Sequence, residues 1–84
     1  MDPTSKKDLL RRVHRIEGQA RGVARMIEEG RDCQEILQQL AAVRSAAHQA
    51  TVALVRSYTV ECMLADASPE QIADALATAL QRLS

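Results

Sequence analysis

Aromatic residues are almost missing from this chain. It has no tryptophan and no phenylalanine, and Tyr58 is its one tyrosine. With 46% of residues apolar and 1% aromatic, the hydrophobic content is largely small and aliphatic, much of it alanine, which favours helix and buries little area per residue. In 84 residues such a composition yields a thin monomeric core, so it predicts a helical oligomer built from one domain spanning residues 1–84. A long apolar run is also missing. Nothing approaches the roughly 18 residues of a membrane span, and the opening MDPTSKKDLL has no secretory hydrophobic stretch. The expectation is a cytoplasmic protein with no membrane partner. Thiols stay reduced in that compartment, so Cys33 and Cys62 are read as reactive, metal-binding or packing residues before they are read as a standing disulfide. No strand pattern, low-complexity segment or internal repeat is visible. Nor is there a nucleophile and base pair, a phosphate loop or a paired-carboxylate arrangement, so the chain is not expected to be an enzyme.

A net charge is absent too, with 11 basic and 11 acidic residues. The distribution is uneven, however. Between Lys6 and Arg25 there are seven basic residues against two acids, a local net of +5. The amino-terminal third is an electrostatic pole.

Leu9, Val13, Ile16, Ala20, Val23 and Ile27 recur at spacings of 4, 3, 4, 3 and 4, the stripe of a packed helix. Lys7, Arg11, Arg15, Arg21 and Arg25 fall on the other side of the same wheel. Gly18 and Gly22 form a G-x-x-x-G inside this helix, read first as tight helix packing. Gly30 should end the helix in a left-handed cap. Asp32 then opens a second helix, with Glu35 at the capping-box position. Its stripe is Cys33, Ile36, Leu40, Val43, Ala47, Ala50 and Leu54, and nothing breaks it before about Met63. Ser68, Pro69 and Gln71 announce a short third helix across the end of the bundle, with Ile72, Leu76, Leu80 and Leu83 on its apolar edge.

The two cysteines are 29 positions apart on the second helix. At about 1.5 Å per residue they stand roughly 43 Å apart and cannot touch within one chain. Yet 29 steps of about 100° end within about 20° of whole turns, so both leave the helix on one side. If two such helices pack antiparallel, Cys33 of one chain meets Cys62 of the other, giving two symmetric sites. Cys33 lies at a helix amino terminus near Arg31 in sequence, an environment that favours thiolate. Tyr58 shares the cysteine face. A neutral phenol is a poor ligand for soft cations, whereas an imidazole there would complete a two-thiolate, one-nitrogen site. His14 and His48 are off the cysteine line and read as surface or interface residues.

The strings RRVHRIEGQARGVARMIEEGRDC and ILQQLAAVRSAAHQ, with a second cysteine 29 positions after the first, resemble the copper-sensitive operon repressor family of bacterial transcriptional regulators. The match runs from about Leu9 to Cys62. The resemblance implies an all-α protein of three helices per chain, an antiparallel four-helix-bundle dimer assembling to a tetramer, a dimer of dimers. It implies a repressor that holds operator double-stranded DNA and releases it when its thiol site is loaded. The copper-sensing branch places a histidine where Tyr58 stands. The persulfide-sensing branch keeps the cysteines and lacks that histidine, and the sequence looks most like this branch. The implied inducer is a persulfide or polysulfide acting on Cys33 and the partner's Cys62, with no cofactor. The alternatives are Cu(I) on the same two cysteines, then formaldehyde, whose branch uses an amino-terminal proline, here Pro3, one place late. By resemblance Arg12, Arg15, Gln19, Arg21 and Arg44 contact DNA, and Lys7 and Arg11 extend the same basic face. No helix-turn-helix signature is present, so DNA shape is expected to carry much of the specificity.

Overall fold

The computed structural model describes residues 1–83. They form three helices, α1 (Pro3–Glu28), α2 (Cys33–Leu64) and α3 (Pro69–Arg82). Each begins at a side-chain cap. Asp2 accepts from the backbone N–H groups of Thr4 and Ser5 at 3.1 and 3.2 Å, with Pro3 filling the first helical position. The Ser5 hydroxyl first, and then the Ser5 backbone N–H, hold the Asp2 carboxyl below its usual value. Ser68 and Gln71 form the full reciprocal capping box at α3, with bonds of 3.1 and 2.9 Å. At α2 the expected box does not form. Asp32 accepts from Gln34 N–H at 3.1 Å, but Glu35 turns instead to Arg31, whose guanidinium offers a charge-assisted pair at 2.9 Å.

Gly30 takes the left-handed conformation, φ +70°, and the chain reverses as Arg31 N–H donates to the Met26 carbonyl at 3.0 Å. The equivalent turn after α2 is made by Asp66, φ 59°, with Ala67 N–H donating to the Cys62 carbonyl at 3.0 Å. Aspartate tolerates this region better than most residues. Helix α1 packs along α2, α3 folds back on α2, and α1 and α3 share no contact among the described residues.

The outcome is a plate. Its principal extents are 53 × 27 × 12 Å, and the last is the thickness of one helix, about 10–12 Å. A layer one helix thick cannot enclose a core. Among the described residues only Val23 and Ala50 are buried. The α1 side of the seam is Leu9, Ile16, Val23 and Met26. The α2 side is Ile36, Val43, Ala46, Ala50 and Ala53, mostly half-buried. The single stripe expected on α2 therefore splits in two. Ile36, Val43 and Ala50 face inward, while Cys33, Leu40, Ala47 and Leu54 are exposed on an outward line that also carries Leu37 and Tyr58. The merger was built into the pattern, because a 3-4 spacing cannot separate two adjoining apolar faces of a helix that packs on both.

Candidate functional site

Two surfaces carry the residues singled out by chemistry. The first is the outward line of α2. Cys33 is its first residue, exposed, one step inside the Asp32 cap. Arg31, the neighbouring cation, is held by Glu35 through Nε at 3.0 Å and Nη2 at 2.9 Å, with Glu29 at 3.8 Å. Its charge is compensated by those carboxylates, so Arg31 is not an uncommitted cation for the thiol. Cys62 is half-buried at the other end, its backbone pinned by the turn into α3. A free thiol stands at each end of one rigid 32-residue helix. The structure keeps them apart within the chain, as the spacing requires, and both lie in the same register as Leu37, Leu40, Ala47, Leu54 and Tyr58.

Tyr58 is 48% exposed, one turn before Cys62. It is a rim residue on this chain rather than a core one. Beside it, the Met1 ammonium pairs with the Glu61 carboxylate, bringing the start of α1 to the end of α2. Pro3 offers no amine, since its nitrogen is acylated by Asp2 and its ring opens α1. No group of three or more His, Cys, Asp or Glu residues converges among the described residues. His14 sits 4.0 Å from Glu17 on α1, and His48 is exposed on α2, neither with a cysteine. The soft donors of the chain are Cys33 and Cys62, a pair of the type suited to Cu(I).

The second surface is the face of α1 turned from α2. Lys7, Arg11, Arg15 and Arg21 are all exposed there, and Arg25, absent from the set carried by resemblance, joins them. Its place was legible on the helical wheel, opposite the apolar stripe. Among the described residues Lys7, Arg15, Arg21 and Arg25 have no ion-pair partner, while Arg11 pairs with Asp8 at 2.6 Å. Three candidates lie elsewhere. Arg12 is half-buried toward α2, donating from Nε to Asp8 at 2.9 Å. Arg12 first, and then Arg11, hold the Asp8 carboxyl below its ordinary value. Gln19 is half-buried on that inner side, with its Oε1 buried and lacking a hydrogen-bond partner. Arg44 lies on α2, next to Leu37 and Leu40 in a shallow depression of the outward face.

The profile of the family described as metal-sensitive transcriptional repressor matches residues 5–82, nearly the whole chain. The chain belongs to this family. Metal-sensitive repressors similar to it include the copper-sensing transcriptional repressor RicR of Mycobacterium tuberculosis, 41% identical over 61 residues, which cover 71% of this chain and 64% of RicR. An uncharacterized Serratia marcescens protein in the bioA 5′ region is 42% identical over 66 residues, 77% of this chain and 72% of that protein. Among solved structures, the nickel-responsive transcriptional regulator InrS is 37% identical with a TM-score of 0.81, covering 93% of this chain and 91% of its own. The copper-sensing repressor CsoR of Geobacillus thermodenitrificans, at 24% identity and TM-score 0.79 over 100% of this chain and 92% of its own, shares the fold. The family consists of transcriptional repressors and not enzymes. Among the described residues no helix is long and apolar enough to cross a membrane.

Proposed function

We propose that this repressor grips operator duplex DNA through the basic face of α1 and lets go when an effector joins Cys33 of one subunit to Cys62 of the partner subunit. The observation that carries this is the outward line of α2, with a thiol at each end and exposed Leu37, Leu40, Ala47 and Leu54 between them. Antiparallel pairing of two such lines covers the apolar residues and brings each Cys33 to the partner's Cys62. A second pairing of dimers completes a tetramer. In this register Tyr58 lies against the partner's Leu37.

The effector best matched to two thiols and a phenol is a persulfide or polysulfide. The Cys33 thiolate attacks the sulfane sulfur of R–S–SH, forming Cys33–S–SH and releasing RS⁻. The partner's Cys62 thiolate then attacks the Cys33 sulfur, forming the interchain disulfide and releasing hydrosulfide. A longer polysulfide donor leaves one or more sulfur atoms in the bridge and departs as the shortened thiolate. The electrons come from the two cysteines and end on the sulfane sulfur. A covalent strap across both ends of the paired α2 helices fixes the relative position of the α1 faces, and with it the fit to DNA.

Intact mass under non-reducing conditions, after polysulfide treatment, should show two chains joined, together with loss of duplex binding; unchanged monomer masses would falsify this reading. The resemblance to a copper-sensing repressor by sequence favours a second reading, Cu(I) held by the same two thiolates. Anaerobic Cu(I) titration against a strong competing chelator separates the two. Retention of Cu(I) by the protein at one ion per thiol pair, with DNA release, would select the metal.

A further inference from the structure

Gly18 and Gly22 sit in mid-α1, where glycine lowers helix stability relative to alanine. Nothing inside the chain demands them. Neither has a positive φ, Gly30 being the glycine that does. A Cβ built on Gly22 would meet no atom within 4 Å, and one on Gly18 would meet only the Arg21 guanidinium, at 4.0 Å. The tight packing that a G-x-x-x-G suggests is therefore absent between α1 and α2. Gly18 is exposed, and Gly22, half-buried at the flank of the seam, has open space over its Cα.

They open onto the basic face. At about 100° per residue, Gly18 lies within about 20° of Lys7, Arg11 and Arg25, and Gly22 within about 20° of Arg11 and Arg15. The Arg21 tip over Gly18 shows the same neighbourhood. Lys7, Arg15, Arg21 and Arg25 have no ion-pair partner among the described residues. So the side-chain-free strip runs through a band of cations, four of them uncompensated and Arg11 paired with Asp8, whose complement is a polyanion.

Resting on the reading of α1 as the DNA-binding face, we propose that Gly18 and Gly22 form the close-approach point for the duplex sugar-phosphate backbone. One strand lies directly on the α1 backbone there, with Arg11 and Arg15 reaching phosphates on one side and Arg21 and Arg25 on the other. A Cβ at either glycine holds the strand off by the thickness of a methyl group. Charge-assisted hydrogen bonds from the flanking guanidinium groups depend on short distances, so that displacement breaks or lengthens them.

The test compares wild type, Gly18→Ala, Gly22→Ala, the double alanine variant and Arg15→Ala, using mixed-sequence duplex DNA at low salt, because phosphate contacts carry no sequence information. Alanine is the better helix former, so the glycine variants should melt at a higher temperature and keep the wild-type assembly size by sedimentation. They should nonetheless bind duplex more weakly, by about tenfold for the double variant, the loss of roughly one charge-assisted contact, with a shallower dependence on salt. If the double variant binds like wild type while Arg15→Ala binds weakly, the close-approach role is wrong and the DNA-binding face survives. If wild type and Arg15→Ala bind equally, the DNA reading itself fails. If the glycine variants dissociate or change oligomeric size, the strip serves a contact between chains, and the proposal is overturned.

Discussion

The two outward surfaces of the plate are unfinished in opposite ways. On the basic face of α1 the exposed groups include four cations without counter-charges, Lys7, Arg15, Arg21 and Arg25, beside Arg11, which Asp8 pairs. On α2 they are leucines without cover, Leu37 at 60%, Leu40 at 46% and Leu54 at 42% exposure. Water tolerates the first and disfavours the second, so the α1 face can wait for its occupant while the α2 face cannot. The difference assigns each surface a partner of different chemistry and permanence. On the proposed reading, a second copy covers α2 throughout the life of the protein, and a duplex occupies α1 only at times. A sensor gains from this division, since a change across the permanent interface can alter the transient one without competing for the same atoms.

The most severe way to break the comparison is to charge the permanent side. Leu54→Glu should abolish assembly and cooperative folding together, because burying a leucine is worth about 1.5–3 kcal/mol, an unpaired buried carboxylate costs more than that is worth, and two-fold symmetry applies both penalties twice. Sedimentation and circular dichroism at matched concentrations would show it; a folded, wild-type-sized Leu54→Glu protein would remove α2 from the interface. The register is open to a finer probe. Pairing Cys33 with the partner's Cys62 brings Ala47 close to the two-fold axis, so Ala47→Cys in a Cys33→Ser, Cys62→Ser background should oxidise to a covalent dimer. Arg15→Ala with Arg21→Ala comes next in size. The pair should weaken duplex binding by about tenfold to a hundredfold and lower the slope against log salt by about two, leaving assembly intact.

The same contrast explains what could be read from the sequence. Helix existence, Gly30 as terminator and the Ser68–Gln71 box rest on local chemistry and were legible residue by residue. The Cys33 and Cys62 register followed from helical geometry alone. What failed depended on a neighbour in space. Leu40 and Ile36 look alike in a 3-4 pattern, and only the position of α1 makes one exposed and the other half-buried. Gln19 is as polar as any surface residue, but its place on the wheel turns it toward α2. Glu35 had a backbone amide and a guanidinium within reach, and the guanidinium won. The empty space over Gly18 and Gly22 inverted the ordinary meaning of their motif.

A smaller effect tests the scaffold that both surfaces share. Ser68→Ala removes one half of the capping box at α3 and should cost about 1 kcal/mol of stability. Because α3 touches α2 and not α1, the loss should appear in thermal unfolding and leave low-salt duplex binding unchanged. A drop in DNA affinity equal to that of the arginine variants would mean that α3 supports the basic face, against the separation argued above.

The smallest effect lies on α1 itself, at Asp8. Its carboxylate pairs with Arg12 at 2.9 Å and Arg11 at 2.6 Å, and those cations hold its pKa below the ordinary 3.8. A depressed carboxylate pKa stabilises the fold fully above the unfolded value, and the contribution disappears as pH falls through the folded value. Asp8→Asn should therefore flatten the acid limb of the melting curve below about pH 4 and change little near neutrality, where exposed pairs contribute weakly. On the DNA side the sign reverses. Freed from Asp8, Arg11 joins the uncompensated cations of the binding face, so the variant should bind duplex slightly more tightly at low salt and lose that advantage as salt rises. Tighter binding with a flattened acid limb is the signature of a face that trades internal pairing for an external polyanion; weaker binding would mean that Asp8 orients Arg11 and Arg12 for DNA.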